Sequence, residues 1–82
     1  MKDVMLEKTI LKILQRVECG VREKTLMNET EIAVDRPYIT TDEFTDALVG
    51  LEDRGLVENR QNLIGERVWQ ITEVGKAALK GV

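Results

Sequence analysis

The feature that most constrains the fold of this chain is the order of punctuation between Thr40 and Leu79: a capped amphipathic segment, a glycine stop, two short alternating stretches around a polar loop, and a second capped segment. Thr40 stands three residues before Glu43. At that spacing a hydroxyl accepts from one free helix-end amide while the carboxylate accepts from another. Phe44, Ala47, Leu48 and Leu51 then recur at i, i+3, i+4 and i+7, a narrow stripe along one helix face, and Gly55 follows where a left-handed residue ends a helix. Leu56 to Arg60 and Val68 to Ile71 predict two strands around the loop Gln61 to Glu66. Trp69 and Ile71, two apart, share a strand face, which is assigned to the core. Thr72 caps a short last helix from Glu73 to about Lys80, with Val74, Ala78 and Leu79 as its apolar contacts.

Upstream, Leu6, Ile10, Ile13, Leu14 and Val17 fall at helical spacing and predict a first helix from Asp3 to about Val17, with Lys8, Lys12 and Gln15 on the far side. Val4 and Leu11 lie seven apart on a flank outside that stripe. Two readings stay open for them: a seam for a second copy of the chain, or a surface covered by the closing segment of the same chain. Gly20 supplies the following turn. A second helix is predicted from Lys24 to Val34, with Leu26, Met27, Thr30, Ala33 and Val34 inward. It must end before Pro37, which restricts Arg36 to extended geometry. The turn then runs from Asp35 to Ile39, with Tyr38 or Ile39 as its anchor in the core.

The 82 residues predict one domain, 1–82, with no linker, repeat or separate effector domain. Apolar content of 43% beside 33% charged residues belongs to a folded globular chain, not a disordered one. No apolar run is long enough to cross a bilayer and the N-terminus is too charged for a secretory leader, so the expected location is the cytoplasm and no membrane partner is expected. With one cysteine and no histidine, a Cys/His zinc site and Ser-His or Cys-His catalysis are excluded within one chain. Asp42 and Asp46 share a helix face, but hard cations require more oxygen ligands converging in a cleft. Neither an enzyme nor a metal or other cofactor is expected. Cys19, beside Glu18, lacks the neighbouring positive charge that favours thiolate, and is expected to be a small buried residue.

The segments Leu48-x-x-Leu51-Glu52-x-Arg54-Gly55-Leu56-Val57-Glu58 and Trp69-Gln70-Ile71-Thr72-Glu73-x-Gly75, set in the order helix, helix, turn, helix, hairpin, helix, resemble the winged helix-turn-helix domains of small MarR-like and PadR-like regulators of bacteria, archaea and phages. The resemblance covers nearly the whole chain. It implies an α+β winged helix-turn-helix, a three-helix bundle with a two-stranded β-hairpin wing and a short C-terminal helix. It further implies that the third helix enters the major groove of duplex DNA and that the wing touches a neighbouring phosphate or minor groove.

The charge map opposes that role. Burying Phe44, Leu48 and Leu51 turns Asp42, Asp46, Val49 and Asp53 outward, flanked by Glu43, Thr45, Gly50 and Glu52. From Thr40 to Arg54 five acids meet one base, so this segment carries −4 while the rest of the chain carries +1. DNA affinity comes largely from neutralising phosphates, a contribution this face supplies with the wrong sign. Two functions are therefore carried forward. The first is a transcription-regulator type of protein, acting as a homodimer through helix one and the C-terminal segment, with weak or atypical contact to duplex DNA through Thr41, Thr45, Arg54, Arg60 and Arg67. The second is a protein-interaction adaptor without intrinsic DNA affinity, docking a basic protein partner through Asp42, Asp46, Val49, Asp53, Leu63 and Ile64. For Leu63 and Ile64 a fold-back of the loop onto the core is the competing expectation.

Overall fold

A computed structural model describes residues 4–17, 19–34 and 39–80. The elements run α1 (Val4–Gln15), β1 (Val21–Arg22), α2 (Glu23–Val34), α3 (Thr41–Asp53), β2 (Val57–Gln61), β3 (Arg67–Ile71) and α4 (Glu73–Lys80). The sheet is antiparallel with order β1-β3-β2, so β3 is its middle strand. Helix α1 is central among the helices and packs against α2, α3, α4 and β3. The core comprises Leu6, Ile10, Ile13 and Leu14 of α1, Leu26 of α2, the predicted Phe44, Ala47, Leu48 and Leu51 of α3, and Val57, Trp69 and Ile71 of the sheet. Ile39 anchors the chain entering α3 and is 3% exposed, its amide donating to Glu31 Oε2 at 3.2 Å. Tyr38 and the rest of the turn at 35–38 lie outside the described residues.

The two ends of α3 obey local chemistry. At its start the Glu43 amide donates to Thr40 Oγ1 at 3.1 Å and the Thr40 amide donates back to Glu43 Oε1 at 3.4 Å, the reciprocal box read from the spacing. At its end the Leu56 amide donates to Leu51 O at 3.0 Å and the Gly55 amide to Glu52 O at 2.9 Å, with Gly55 at φ +75°. These are the paired bonds of a Schellman turn, in which the left-handed residue lets the chain double back and satisfy the last carbonyls. The chain leaves this turn directly into β2.

The same turn holds the far side of the hairpin. Thr72 donates its amide to Leu56 O at 3.0 Å and its hydroxyl to Gly55 O at 2.7 Å. Its hydroxyl also accepts from the Gly75 amide at 3.0 Å, capping α4. Gly75 is buried because α4 starts against this backbone: a Cβ there would collide with Leu56 O and with Ile71 Cγ1.

Several expectations are corrected. Leu11, for which two readings stood open, is buried at 6% exposure within the core and so offers no apolar surface to a second copy; of the Val4 side chain nothing is described. Ala33 and Val74, expected inward, are exposed, and Cys19, expected buried, is exposed. A twelve-residue helix such as α2 or an eight-residue one such as α4 buries only the stripe its neighbours cover, and those residues fall beyond it. Strand β1 was not anticipated: two residues after Gly20 are too few to show alternation, and the pairing of Val21 with Trp69 and Arg22 with Val68 arises from distant sequence.

The two glycines at the wing base separate two physical costs. Gly75→Ala should lower stability by roughly 2–3 kcal/mol through a clash with backbone. Gly55→Ala, where a Cβ meets nothing within 4 Å, should cost only the left-handed conformation, about 1–2 kcal/mol. Urea unfolding of both variants measures the order.

Candidate nucleic-acid interface

The outward face of α3 and the hairpin tip meet solvent as the patterning requires. Thr41, Asp42, Thr45, Asp46, Glu52 and Asp53 are exposed, and Val49 is 47% exposed. Phe44 and Leu48 anchor the opposite face of the helix, which cannot rotate its acids away without exposing them. Gly50, read as a flank of this surface, is buried instead.

The hairpin tip is built around Asn62. Its Oδ1 accepts from the amides of Ile64 at 3.1 Å and Glu66 at 2.9 Å, while its own amide donates to Glu66 O at 2.9 Å. Such an Asx turn replaces ladder bonds at the loop and fixes its shape. Outside this frame stand Leu63 and Ile64, both fully or largely exposed, so the loop does not fold back onto the core. Glu66 is braced by Arg22 at 3.6 Å across from β1, a solvent-facing pair that contributes little energy but limits where the tip points.

The basic candidates are differently placed from one another. Arg60 lies on β2 and donates from Nη2 to Cys19 O at 3.1 Å, a link from the wing to the loop before β1. Arg67 begins β3 opposite Gln61, is exposed, and has no ion pair among the described residues. Arg54 is the least available: its Nε donates to Gly50 O at 3.1 Å and its Nη2 sits 2.6 Å from Glu7 Oε1 of α1. Near α2, Arg22 holds Glu66 and Lys24 is exposed, whereas Arg36 lies outside the described residues.

Glu7 escaped the sequence reading, because a carboxylate in a first helix reads as a solvated residue. It is 5% exposed, and its Oε2 has no hydrogen-bond partner among the described residues. The spacing gave only a marginal signal: Glu7 lies just past the edge of the apolar stripe, between Leu14 and Leu11 on the helix surface, and it is the burial of Leu11 that widens the covered arc to include it. A second structural tie runs from Trp69 Nε1 to Glu23 Oε1 at 2.9 Å, satisfying the indole donor and fixing the middle strand to the first turn of α2. Among the described residues no acidic, cysteine or histidine group forms a metal-binding cluster, and no helix is long and apolar enough to cross a membrane.

Removal of Arg54 should leave the Glu7 carboxylate buried without its cation. Arg54→Ala is expected to destabilise by about 2–4 kcal/mol, and the double substitution Glu7→Leu with Arg54→Leu by clearly less, since an apolar pair leaves no orphan charge. Thermal and urea unfolding of both variants test this.

Among solved structures, the chain is similar to a MarR-family transcriptional regulator from Silicibacter pomeroyi, with TM-score 0.77 and 21% identity over 93% of this chain and 47% of that one. It is similar to the F-93 protein of SSV1, with TM-score 0.75 and 28% identity over 93% of this chain and 79% of that one. It is also similar to a transcriptional regulator from Clostridium thermocellum, with TM-score 0.75 and 19% identity over 92% of this chain and 75% of that one. The chain spans about half the length of the Silicibacter protein. No family model and no curated protein matches the sequence. The fold is a MarR-like winged helix-turn-helix, with α3 in the position of the third helix and the β2–β3 hairpin as its wing.

Proposed function

We propose that the chain is a winged-helix protein of the transcription-regulator type, working in the cytoplasm without catalysis, whose contact with duplex DNA is weak and carried more by the wing than by α3. The observation that supports this most is the pairing of a regulator-like fold with a third helix whose exposed face bears Asp42, Asp46 and Asp53. Carboxylates there repel phosphate and forbid the counterion release that gives ordinary winged helices their affinity. An acid can accept from cytosine N4 in the major groove, but such a contact specifies only where cations hold the duplex in place. Thr41 and Thr45 are the neutral donors on that face. Arg54 is spoken for by Glu7, which leaves Arg67, and Arg60 beyond its bond to Cys19 O, as phosphate contacts.

Titration of random-sequence duplex at low salt should give micromolar binding, with a slope of log affinity against log salt of only about −2, for two phosphate contacts. Asp42→Asn with Asp46→Asn should tighten it, by roughly threefold for each charge removed. Absence of binding at low salt removes this reading. It would leave the adaptor, whose support is the same acidic face: Asp42, Asp46 and Asp53 with Val49 offered to a basic protein.

The working unit is proposed to be a homodimer joined along α1 and α4. Leu11 being buried, the large apolar side chains that these two packed helices expose among the described residues are Met5, at 71%, and Val74, at 58%. Sedimentation should show a dimer that Met5→Glu or Val74→Glu converts to monomer; a monomeric parent ends this proposal.

A further inference from the structure

The wing tip carries an apolar pair that neither the core nor the fold needs. Leu63 is 106% exposed and Ile64 78%, adjacent in sequence, at the end of a hairpin whose other tip groups are committed. Four bonds to Asn62 and Glu66 shape the turn, including one from the Gly65 amide to Asn62 O at 3.1 Å, Asn62 Nδ2 donates to Glu66 Oε1 at 3.2 Å, and Glu66 is braced by Arg22. The two side chains thus stand on a preformed backbone frame, and the ordering entropy of the loop backbone is largely spent in folding rather than on contact with a partner.

Charge says which partner such a tip suits. The stretch from Arg60 to Arg67 holds two bases and one acid, in contrast to the −4 of the Thr40–Arg54 segment. Because Arg67 pairs with Gln61 and Arg60 with Val68, in adjacent registers, the two arginines leave opposite faces of the hairpin and flank the tip on both sides. The wing is therefore the one part of the α3-wing surface that a phosphate backbone does not repel. An apolar side chain entering the minor groove between two flanking cations unstacks a base step and bends the duplex, gaining contact without adding positive charge.

We propose that Leu63 and Ile64 form a wedge that enters the minor groove and bends DNA, so that this protein reads the deformability of its site more than its base edges. The inference rests on the DNA-binding reading above and deepens it. Flexible pyrimidine–purine steps are then the preferred sites, because they unstack at least cost.

The test uses the full chain and two probes: a random-sequence duplex for affinity and salt slope, and a kilobase-length tethered duplex for compaction. The parent should shorten the tether at concentrations that saturate the short duplex. Leu63→Ser with Ile64→Ser should abolish the shortening and leave the salt slope unchanged, whereas Arg67→Ala should reduce the slope by about 1. Both tip residues being exposed, the double variant should keep the parent's melting temperature, which separates loss of the wedge from loss of the fold. If the parent binds the short duplex but never shortens the tether, or if the double variant shortens it as well as the parent does, the wedge is overturned and the tip is left to a protein partner. If the parent fails to bind the short duplex, the DNA reading itself falls, an outcome the first probe reports separately.

Discussion

Two peptide units, those of Gly55 and Leu56, hold the third helix, the wing and the last helix together. The Leu56 amide closes α3 on Leu51 O, the Leu56 carbonyl takes the Thr72 amide, and the Gly55 carbonyl takes the Thr72 hydroxyl. Gly75 lets α4 start in contact with the same backbone. The direction of the wing relative to α3 is therefore held by these hydrogen bonds and a steric limit, together with the packing of Val57, Trp69 and Ile71 in the same core as the α3 stripe. Everything that follows about the molecule's outward surface, including where Leu63 and Ile64 stand relative to the acidic helix, depends on that angle.

Behind this joint lies a core in which α1 does most of the contacting, and its one carboxylate there has a cost. Glu7 is buried with one oxygen facing the half-exposed Arg54 and the other without a hydrogen-bond partner among the described residues. A pair with only its acid buried adds little net stability over an apolar pair, but it penalises any arrangement that separates its members. It links the central helix to the C-cap of α3 and engages the single arginine of that segment, so the acids on the outer face of α3 have no uncommitted base within their own helix.

Much of the fold was legible because its signals are local. A threonine three residues before a glutamate, a glycine after a helical stripe and a threonine before a short helix act on their own neighbours within a turn of chain, and all three caps have the geometry their spacing implies. The exposure of the α3 acids was legible for a related reason: once Phe44, Leu48 and Leu51 are buried, helical periodicity leaves the aspartates one direction. What the sequence left open or missed involved partners remote in sequence. Leu11 looked marginal on its own helix and is buried in the assembled core, while Val74 looked like a packing residue and is exposed. Arg54 looked like a free cation near the groove and is held by a carboxylate 47 positions earlier in the chain.

The sequence alone determined the identity and order of the four helices and the hairpin, the ends of α2, α3 and α4 and of both hairpin strands to within a residue, and the sign of the charge that α3 shows to solvent, while α1 ends two residues before the expected Val17. Those outcomes need only propensity, capping and a 3.6-residue period, all of which act over a few residues. Tertiary structure decided which apolar residues remain uncovered, which arginines remain available, and that Val21 and Arg22 add a third strand to the hairpin. These depend on distances between segments separated by tens of residues, and such distances exist only once the backbone joint at Gly55 and Leu56 has placed the sheet against the helices.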